Sequence, residues 1–214
     1  EIIEASDGIM VARGDLGIEV PYYDVPTIQK MLIKKANLKG IPVITATQML
    51  LSMTQNERAT RAEISDVANA VLDGTDVVML SEESAVGEDP INVVDTMHNI
   101  IAKTEGIYNF DKQYKFPYLD EFDVIQATVT KLADDLKATG ILALTSSGKS
   151  ALKMSRYRPR TPIFTFTHKK KVLNSLTAVW GVQPIGIIKE AQASKMFQKM
   201  LKLLDEKGLL NKNG

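Results

Sequence analysis

The stretch of sequence that decides the fold is Gly8-Ile9-Met10-Val11-Ala12-Arg13-Gly14-Asp15-Leu16-Gly17. Its first half is a short apolar run typical of a strand, and its second half, rich in glycine and charge, is typical of a turn. Residues 23–38 follow with apolar side chains at helical spacing. Strand, polar turn and helix in this order form the repeating unit of parallel α/β folds.

The same unit recurs along almost the whole chain of 214 residues. Apolar runs predict further strands at 43–46, 76–80, 141–144, 163–167 and 184–188. Helical spacing predicts helices near 60–74, 89–105, 121–137, 149–157, 170–179 and 191–207. The first of these helices opens with Thr60 and Glu63 at the spacing of a capping box. Alternating strands and helices predict parallel sheets with right-handed crossovers.

Residues 108–120 interrupt this alternation, because they contain several aromatic residues and a proline without a helical period. We interpret them as a linker between a first domain at 1–107 and a second α/β domain at 121–214. The first domain has only three strand–helix units, whereas a closed (β/α)8 barrel needs eight. Three strands alone would leave both sheet edges exposed, so we expect missing units or a partner. Since the chain also starts without methionine, we expect both ends to be cuts.

Composition narrows the classes of function. Lys and Arg number 26 and balance 26 Asp and Glu, and this net charge of zero argues against a general nucleic-acid binder. No apolar run approaches the roughly 20 residues needed to span a bilayer, so no membrane partner is expected. The absence of cysteine excludes disulfides, thiolate nucleophiles and Cys-ligated metal sites. It agrees with a cytoplasmic location.

Functional groups of parallel α/β folds lie in the loops that follow the carboxyl ends of strands. Four loops qualify here, at 12–17, 45–50, 81–87 and 145–150. In the first, Asp15 beside glycine could bind a divalent cation and leave backbone amides open to an anion. The alternative is an ordinary tight turn with a solvated Arg–Asp pair.

The other three loops each allow a functional and a structural interpretation. Thr47 offers a hydroxyl for substrate binding or proton transfer, or merely caps a helix. Ser81-Glu82-Glu83-Ser84 offers carboxylates for a cation or a base, or an acidic helix start. The fourth loop suits a phosphate at a helix N-terminus, or is a hydroxyl-rich cap. It is not a Walker A loop, because Ala143 stands where the first glycine is required.

Six segments carry a more specific pattern than any one loop. They are 7–17, 42–50, 60–63, 65–74, 145–150 and 155–159. In residues, order and spacing they resemble the pyruvate kinase family, and the resemblance covers nearly the whole chain. Asp66 and Asn69 lie in the helical part of this pattern, and we interpret them as structural contacts.

The resemblance implies a fold and a reaction. The chain would hold the last three units of a (β/α)8 barrel, followed by most of a three-layer α/β domain with a mostly parallel sheet. That second domain would be effector-binding and incomplete. The implied reaction is phosphoryl transfer from phosphoenolpyruvate to ADP in glycolysis, giving pyruvate and ATP, with Mg²⁺ or Mn²⁺ and K⁺ as cofactors. Relatives are commonly tetramers, so a homo-oligomer is expected.

The resemblance also implies roles for single residues. Asp15 matches the magnesium-binding aspartate, and the amides of Gly14 and Asp15 match those that hold the substrate carboxylate. Thr47 matches the threonine linked to substrate binding and enolpyruvate protonation. Arg13 is a second catalytic candidate, and both Arg13 and Ser81 fall at the edge of the site. The sugar-phosphate effector loop of the family matches Thr145, Ser146, Ser147, Gly148, Lys149 and Ser150, with Lys149 suited to the phosphate.

Several parts of the family's machinery would lie upstream of Glu1. These are the catalytic lysine, the glutamate that shares magnesium with Asp15, the potassium ligands and most nucleotide contacts. We therefore expect the isolated chain to be inactive. The alternative function is a non-catalytic module that binds a sugar phosphate or another anion; an unrelated barrel enzyme is disfavoured by the combined motifs.

Overall fold

A computed structural model describes residues 1–110, 117–118, 120–190 and 192–210. The chain forms two compact units, Glu1–Asn109 and Phe110–Gly214. Each unit contains one three-stranded parallel sheet, so the predicted α/β class is confirmed. The predicted linker lies partly outside the described residues. Within those residues, no helix is long and apolar enough to cross a membrane.

The first unit alternates strands and helices along the chain. Its strands are β1 (Ile9–Ala12), β2 (Val43–Ala46) and β3 (Val77–Met79). Its helices are α1 (Ile2–Ala5), α2 (Arg13–Glu19), α3 (Val25–Lys39), α4 (Arg61–Asp73), α5 (Glu82–Ala85) and α6 (Pro90–Glu105). The sheet order is β1-β2-β3, with Ile9 opposite Val43 and Ile44 opposite Val77.

The second unit repeats the alternation. Its strands are β4 (Ile141–Leu144), β5 (Ile163–Thr167) and β6 (Val182–Ile187). Its helices are α7 (Glu121–Asp135), α8 (Lys149–Arg156), α9 (Lys170–Ser175) and α10 (Ala193–Glu206). The sheet order is β4-β5-β6. Pro184 is accommodated because it lies on the edge strand of the described sheet, where its missing N–H breaks no central ladder.

Apolar strand residues and the inner faces of the helices form separate cores in the two units. In the first unit, Val11 and Val43 of the sheet pack with Ile33 of α3, and all three are buried. In the second, Ile141 and Ile163 pack with Met154 of α8. These buried side chains lie on one face of each sheet and explain why the strands contain apolar residues.

One element differs from the sequence-based prediction. Residues 13–17 were expected to form a turn, because glycine and charge favour turns. They belong instead to helix α2, which extends to Glu19 and ends with the Val20 amide on the Leu16 carbonyl at 3.0 Å. Leu16 packs against the core of the first unit, and this packing outweighs the poor helix propensity of the two glycines.

The predicted capping box at the start of α4 is confirmed. Thr60 Oγ1 accepts from the Glu63 amide at 3.2 Å, and Glu63 Oε2 accepts from the Thr60 amide at 2.8 Å. Glu63 also accepts from the amide and hydroxyl of Ser52 at 2.7 and 2.5 Å. Partial burial alone would raise the pKa of Glu63, but the hydrogen bonds from Ser52 and Thr60 outweigh it and hold this pKa below its usual value.

We predict that Glu63→Gln lowers the free energy of unfolding by about 1 kcal/mol near neutral pH, as loss of a helix cap does. Because the folded-state pKa is lowered, the carboxylate stabilises the fold above its unfolded pKa of about 4.3, and this contribution is lost as pH falls through the folded pKa. Urea unfolding between pH 3 and 7 measures the difference. The exposed Glu57→Gln variant is the control, and a difference that does not shrink toward pH 3 would contradict the prediction.

Candidate active site

The loops that follow β1 and β2 meet, because the carboxyl ends of adjacent parallel strands lie at the same edge of the sheet. The Gly14 amide donates to Thr47 Oγ1 at 2.8 Å. The Thr47 hydroxyl in turn donates to the Ala46 carbonyl at 2.6 Å. Two sequence-predicted site residues from different loops are therefore in direct contact.

Thr47 and Gln48 adopt left-handed backbone conformations, with φ of 71° and 54°. This region is rarely occupied by a β-branched residue, so the turn is strained and the surrounding structure must hold it. Arg13 does so through its guanidinium. Its Nε and Nη2 donate to the Thr47 carbonyl at 3.1 and 2.7 Å, and Nη2 also donates to the Gln48 carbonyl at 3.1 Å.

The Arg13 side chain is itself anchored by Asp66 of α4. Arg13 Nη1 lies 2.5 Å from Asp66 Oδ2, and the two side chains are 11% and 38% exposed. Asp66 thus forms the structural contact expected from its position. The sequence places Arg13 at the edge of the site. In the structure its guanidinium binds the backbone carbonyls of Thr47 and Gln48, and it thereby fixes the conformation of this turn.

Asp15 lies exposed in the first turn of α2, one residue beyond the amide that contacts Thr47. Among the described residues, no group of three or more His, Cys, Asp or Glu could hold a metal ion. The resemblance assigns one carboxylate of this chain, that of Asp15, to the cation. That is compatible with Mg²⁺, which commonly takes one or two carboxylates and completes its shell with water and substrate oxygens.

The loop after β3 contains a contact that the sequence analysis missed. Glu83 accepts from the Leu50 amide at 3.1 Å and from the Ser81 amide at 2.8 Å, and it is 1% exposed. The neighbouring residues Glu82 and Ser84 are exposed. The one available signal was the carboxylate in the first turn of α5, since this position favours acceptors for amides.

The predicted effector loop, 145–150, connects β4 to α8. Thr145 Oγ1 accepts from the Gly148 amide at 2.9 Å, and Gly148 has φ of 88°, so the loop closes on its own buried threonine. Three of its polar residues are exposed at the surface: Ser146, Ser147 and Lys149. An anion would therefore meet the serines and Lys149 rather than the Thr145 hydroxyl.

A buried ion pair holds the C-terminal end of α8 in place. Arg156 Nη1 lies 2.6 Å from Asp123 Oδ2, and both side chains are 0% exposed. The Tyr157 hydroxyl donates to the same carboxylate at 2.8 Å, and Arg156 Nη2 donates to the Pro117 carbonyl at 3.0 Å. Burial raises the pKa of Tyr157, and its hydrogen bond to Asp123 raises it further. Helices α7 and α8 are tied together by this network.

Residues 1–94 match the family model described as pyruvate kinase, barrel domain, and residues 123–214 match the model described as pyruvate kinase, alpha/beta domain. The chain belongs to the pyruvate kinase family. Family membership confirms the resemblance found in the sequence. It also confirms the predicted architecture, a partial barrel followed by an α/β domain.

Individual pyruvate kinases agree with this assignment. The chain is 45% identical to pyruvate kinase of Lactobacillus delbrueckii subsp. bulgaricus over 98% of this chain and 37% of that protein. It is 51% identical to pyruvate kinase of Clostridium acetobutylicum over 86% of this chain and 40% of that protein. A crystal structure of a pyruvate kinase from Cryptosporidium parvum matches 98% of this chain and 44% of that chain, with a TM-score of 0.92 and 38% identity. The chain thus spans less than half the length of these pyruvate kinases.

We predict that Asp123→Asn destabilises the second unit by about 3–5 kcal/mol, because it removes the charge of a buried carboxylate that Arg156 and Tyr157 both contact. Thermal or urea unfolding of the chain measures this loss. Asp135→Asn on the same helix is the matched control, since Asp135 forms an exposed pair with Lys131, and such pairs contribute less than about 1 kcal/mol. If both substitutions lowered the free energy of unfolding equally, the prediction that the buried pair contributes more than the exposed pair would be wrong.

Proposed function

We propose that the protein containing this chain transfers a phosphoryl group from phosphoenolpyruvate to ADP, giving pyruvate and ATP. The observation that carries the proposal is the contact between the Gly14 amide and the Thr47 hydroxyl at 2.8 Å. It joins the two loops that the family resemblance assigns to substrate binding and to protonation. Asp15 follows directly in the same helix turn.

Asp15 would hold the divalent cation, Mg²⁺ or Mn²⁺, as the carboxylate of this chain. When bound, such a cation neutralises charge on phosphoryl and enolate oxygens. The amides of Gly14 and Asp15 would bind the substrate carboxylate, since they lie in the first turn of α2, where amides lack partners within the helix. K⁺ enters the proposal from family membership alone, and no residue of this chain is assigned to it.

Substrate binding would change the hydrogen bonds of Thr47. In the structure the Gly14 amide donates to Thr47 Oγ1. If the Gly14 amide bound the substrate carboxylate instead, a lone pair of Thr47 Oγ1 would become available. The hydroxyl proton points to the Ala46 carbonyl. Once its hydroxyl turns from the Ala46 carbonyl, Thr47 would pass its proton to the enolpyruvate carbon and take up a replacement proton from solvent water, which is the role of a proton relay.

Other parts of the proposal rest on family membership. We include a sugar-phosphate effector at 145–150, a homo-oligomer with a tetramer as the expected form, and a cytoplasmic location. We also include the division into a barrel part at 1–107, a linker at 108–120 and an effector domain at 121–214. The exposed Ser146, Ser147 and Lys149 support an anion at the effector loop.

The proposal is tested on the native gene product that contains Glu1–Gly214, with phosphoenolpyruvate, ADP, Mg²⁺ and K⁺. We expect steady pyruvate formation by that product and none by the isolated chain, because the chain spans less than half the length of the pyruvate kinases it matches. Steady turnover by the isolated chain would contradict the second expectation. A native product that binds sugar phosphates but forms no pyruvate would favour the non-catalytic module.

We predict that Asp15→Asn in the native product lowers kcat by about 10²-fold or more, since it removes a charge that holds the cation at the transferring group. The Mg²⁺ concentration that gives half-maximal rate should rise in the same variant. Asp7→Asn is the control, because Asp7 is exposed and precedes β1 at the opposite end of the strand. An unchanged magnesium requirement in Asp15→Asn would contradict the assignment of Asp15.

A further inference from the structure

Glu83 is a buried carboxylate for which the proposed reaction has no direct use. Its side chain is among the largest that are fully buried, at 1% exposure. Among the residues that the structure describes, no Lys, Arg or His forms an ion pair with it. A buried charge is costly unless hydrogen bonds replace its hydration. The amides of Leu50 and Ser81 supply that replacement.

These two amides belong to different loops. Leu50 lies in the loop after β2, and Ser81 begins the loop after β3. Glu83 Oε1 accepts from Leu50 at 3.1 Å, and Oε2 accepts from Ser81 at 2.8 Å. The Glu83 carboxylate therefore joins the loops after β2 and β3, because each of its oxygens accepts a hydrogen bond from one of these loops.

The backbone that carries Glu83 is also tightly placed. The Ala85 amide donates to the Ser81 carbonyl at 3.1 Å, and the Gly87 amide donates to the Glu82 carbonyl at 3.1 Å. A Cβ at Gly87 would lie 2.2 Å from the Glu83 carbonyl oxygen, so only glycine fits this turn. The carboxylate consequently reaches the two loops from a fixed support.

The strained turn at Thr47 and Gln48 is thus held from two sides. Arg13 binds the carbonyls of Thr47 and Gln48. Glu83 binds the Leu50 amide shortly after them, and Leu50 is fully buried. A turn with unfavourable φ values keeps its shape only where its neighbours leave it no alternative. Each of the two contacts therefore restrains the chain close to this turn.

We infer that Glu83 is a positioning residue, whose buried carboxylate bridges the loops after β2 and β3 and thereby keeps the Thr47 hydroxyl in place for the proton-transfer step. This inference rests on the proposed function. Both carboxylate oxygens accept from backbone amides, so Glu83 acts by holding the loops rather than by donating a proton. Its effect should therefore fall on the chemical step more than on substrate binding, because the resemblance assigns substrate binding to the amides of Gly14 and Asp15 as well as to Thr47.

The kinetic test compares Glu83→Gln with Glu88→Gln in the native gene product. The amide side chain has nearly the same size, but it presents N–H groups to one of the two backbone amides and breaks that half of the bridge. We expect kcat of Glu83→Gln to fall by about 10–100-fold, as for a small misplacement of a reacting group, while KM for phosphoenolpyruvate changes by less than about 3-fold. Glu88 is exposed and lies outside the candidate loops, so its variant should match the wild type. A wild-type kcat in Glu83→Gln, or a loss confined to KM, would overturn the inference.

A second measurement needs no variant and does not depend on turnover. In the wild-type chain, the amide protons of Leu50 and Ser81 should exchange with solvent slowly and at rates within about 10-fold of each other, since both are released when one carboxylate lets go. Rates that differ by more would overturn the bridge, even if Glu83→Gln failed to fold. If the wild-type native product formed no pyruvate, the proposed function would be refuted. The exchange rates would then test only whether Glu83 bridges the two loops.

The turn itself can be followed by carbon chemical shifts of Thr47, which report its backbone conformation. In the folded Glu83→Gln chain we expect these shifts to move from left-handed toward extended values, and in Glu88→Gln to stay unchanged. Unchanged Thr47 shifts in a folded Glu83→Gln chain would overturn the inference. This readout separates positioning from a general loss of stability, because a merely structural role would lower the unfolding midpoint without moving the turn.

Discussion

The guanidinium of Arg13 holds the backbone carbonyls of Thr47 and Gln48 in a conformation that these residues do not adopt by themselves. The position of the Thr47 hydroxyl at this edge of the first sheet depends on these hydrogen bonds from Arg13. The planar fork of arginine suits two adjacent carbonyls better than a lysine ammonium would. Asp66 keeps the fork in place, and the resulting turn brings the Thr47 hydroxyl to the Gly14 amide. A strained loop is thus built from ordinary contacts between two helices and two strand ends.

Much of this arrangement follows from the sequence. The pattern of apolar residues predicts the strands. The spacing of Thr60 and Glu63 predicts the start of α4. Because β1 and β2 are parallel, the loops that follow them meet at one edge of the sheet. The helix α2 was missed because local glycine content favours a turn and the packing of Leu16 decides otherwise. Local rules describe a segment by itself, whereas this helix is stabilised by its neighbours.

The left-handed turn and the Glu83 bridge could not be read from the sequence, for two different physical reasons. A positive φ is expected at glycine or asparagine, so threonine gives no signal for it. Glu83 contacts the Leu50 amide across 33 positions of sequence, and a backbone donor carries no residue-specific pattern. Contacts of side chains with distant backbone groups are therefore the part of a site that sequence patterns describe least.

The same contacts explain why a well-formed turn need not make the chain a catalyst. Phosphoryl transfer requires that charge developing on the transferring group be neutralised. In the described residues beside the turn, the Arg13 guanidinium faces Thr47, Gln48 and Asp66, and the nearby Lys30 pairs with Asp73. These cations stabilise the fold and the loop, and their charge is directed to protein oxygens. Beside the turn, these side chains therefore position the loop and stabilise the fold, and their charges are already paired within the protein.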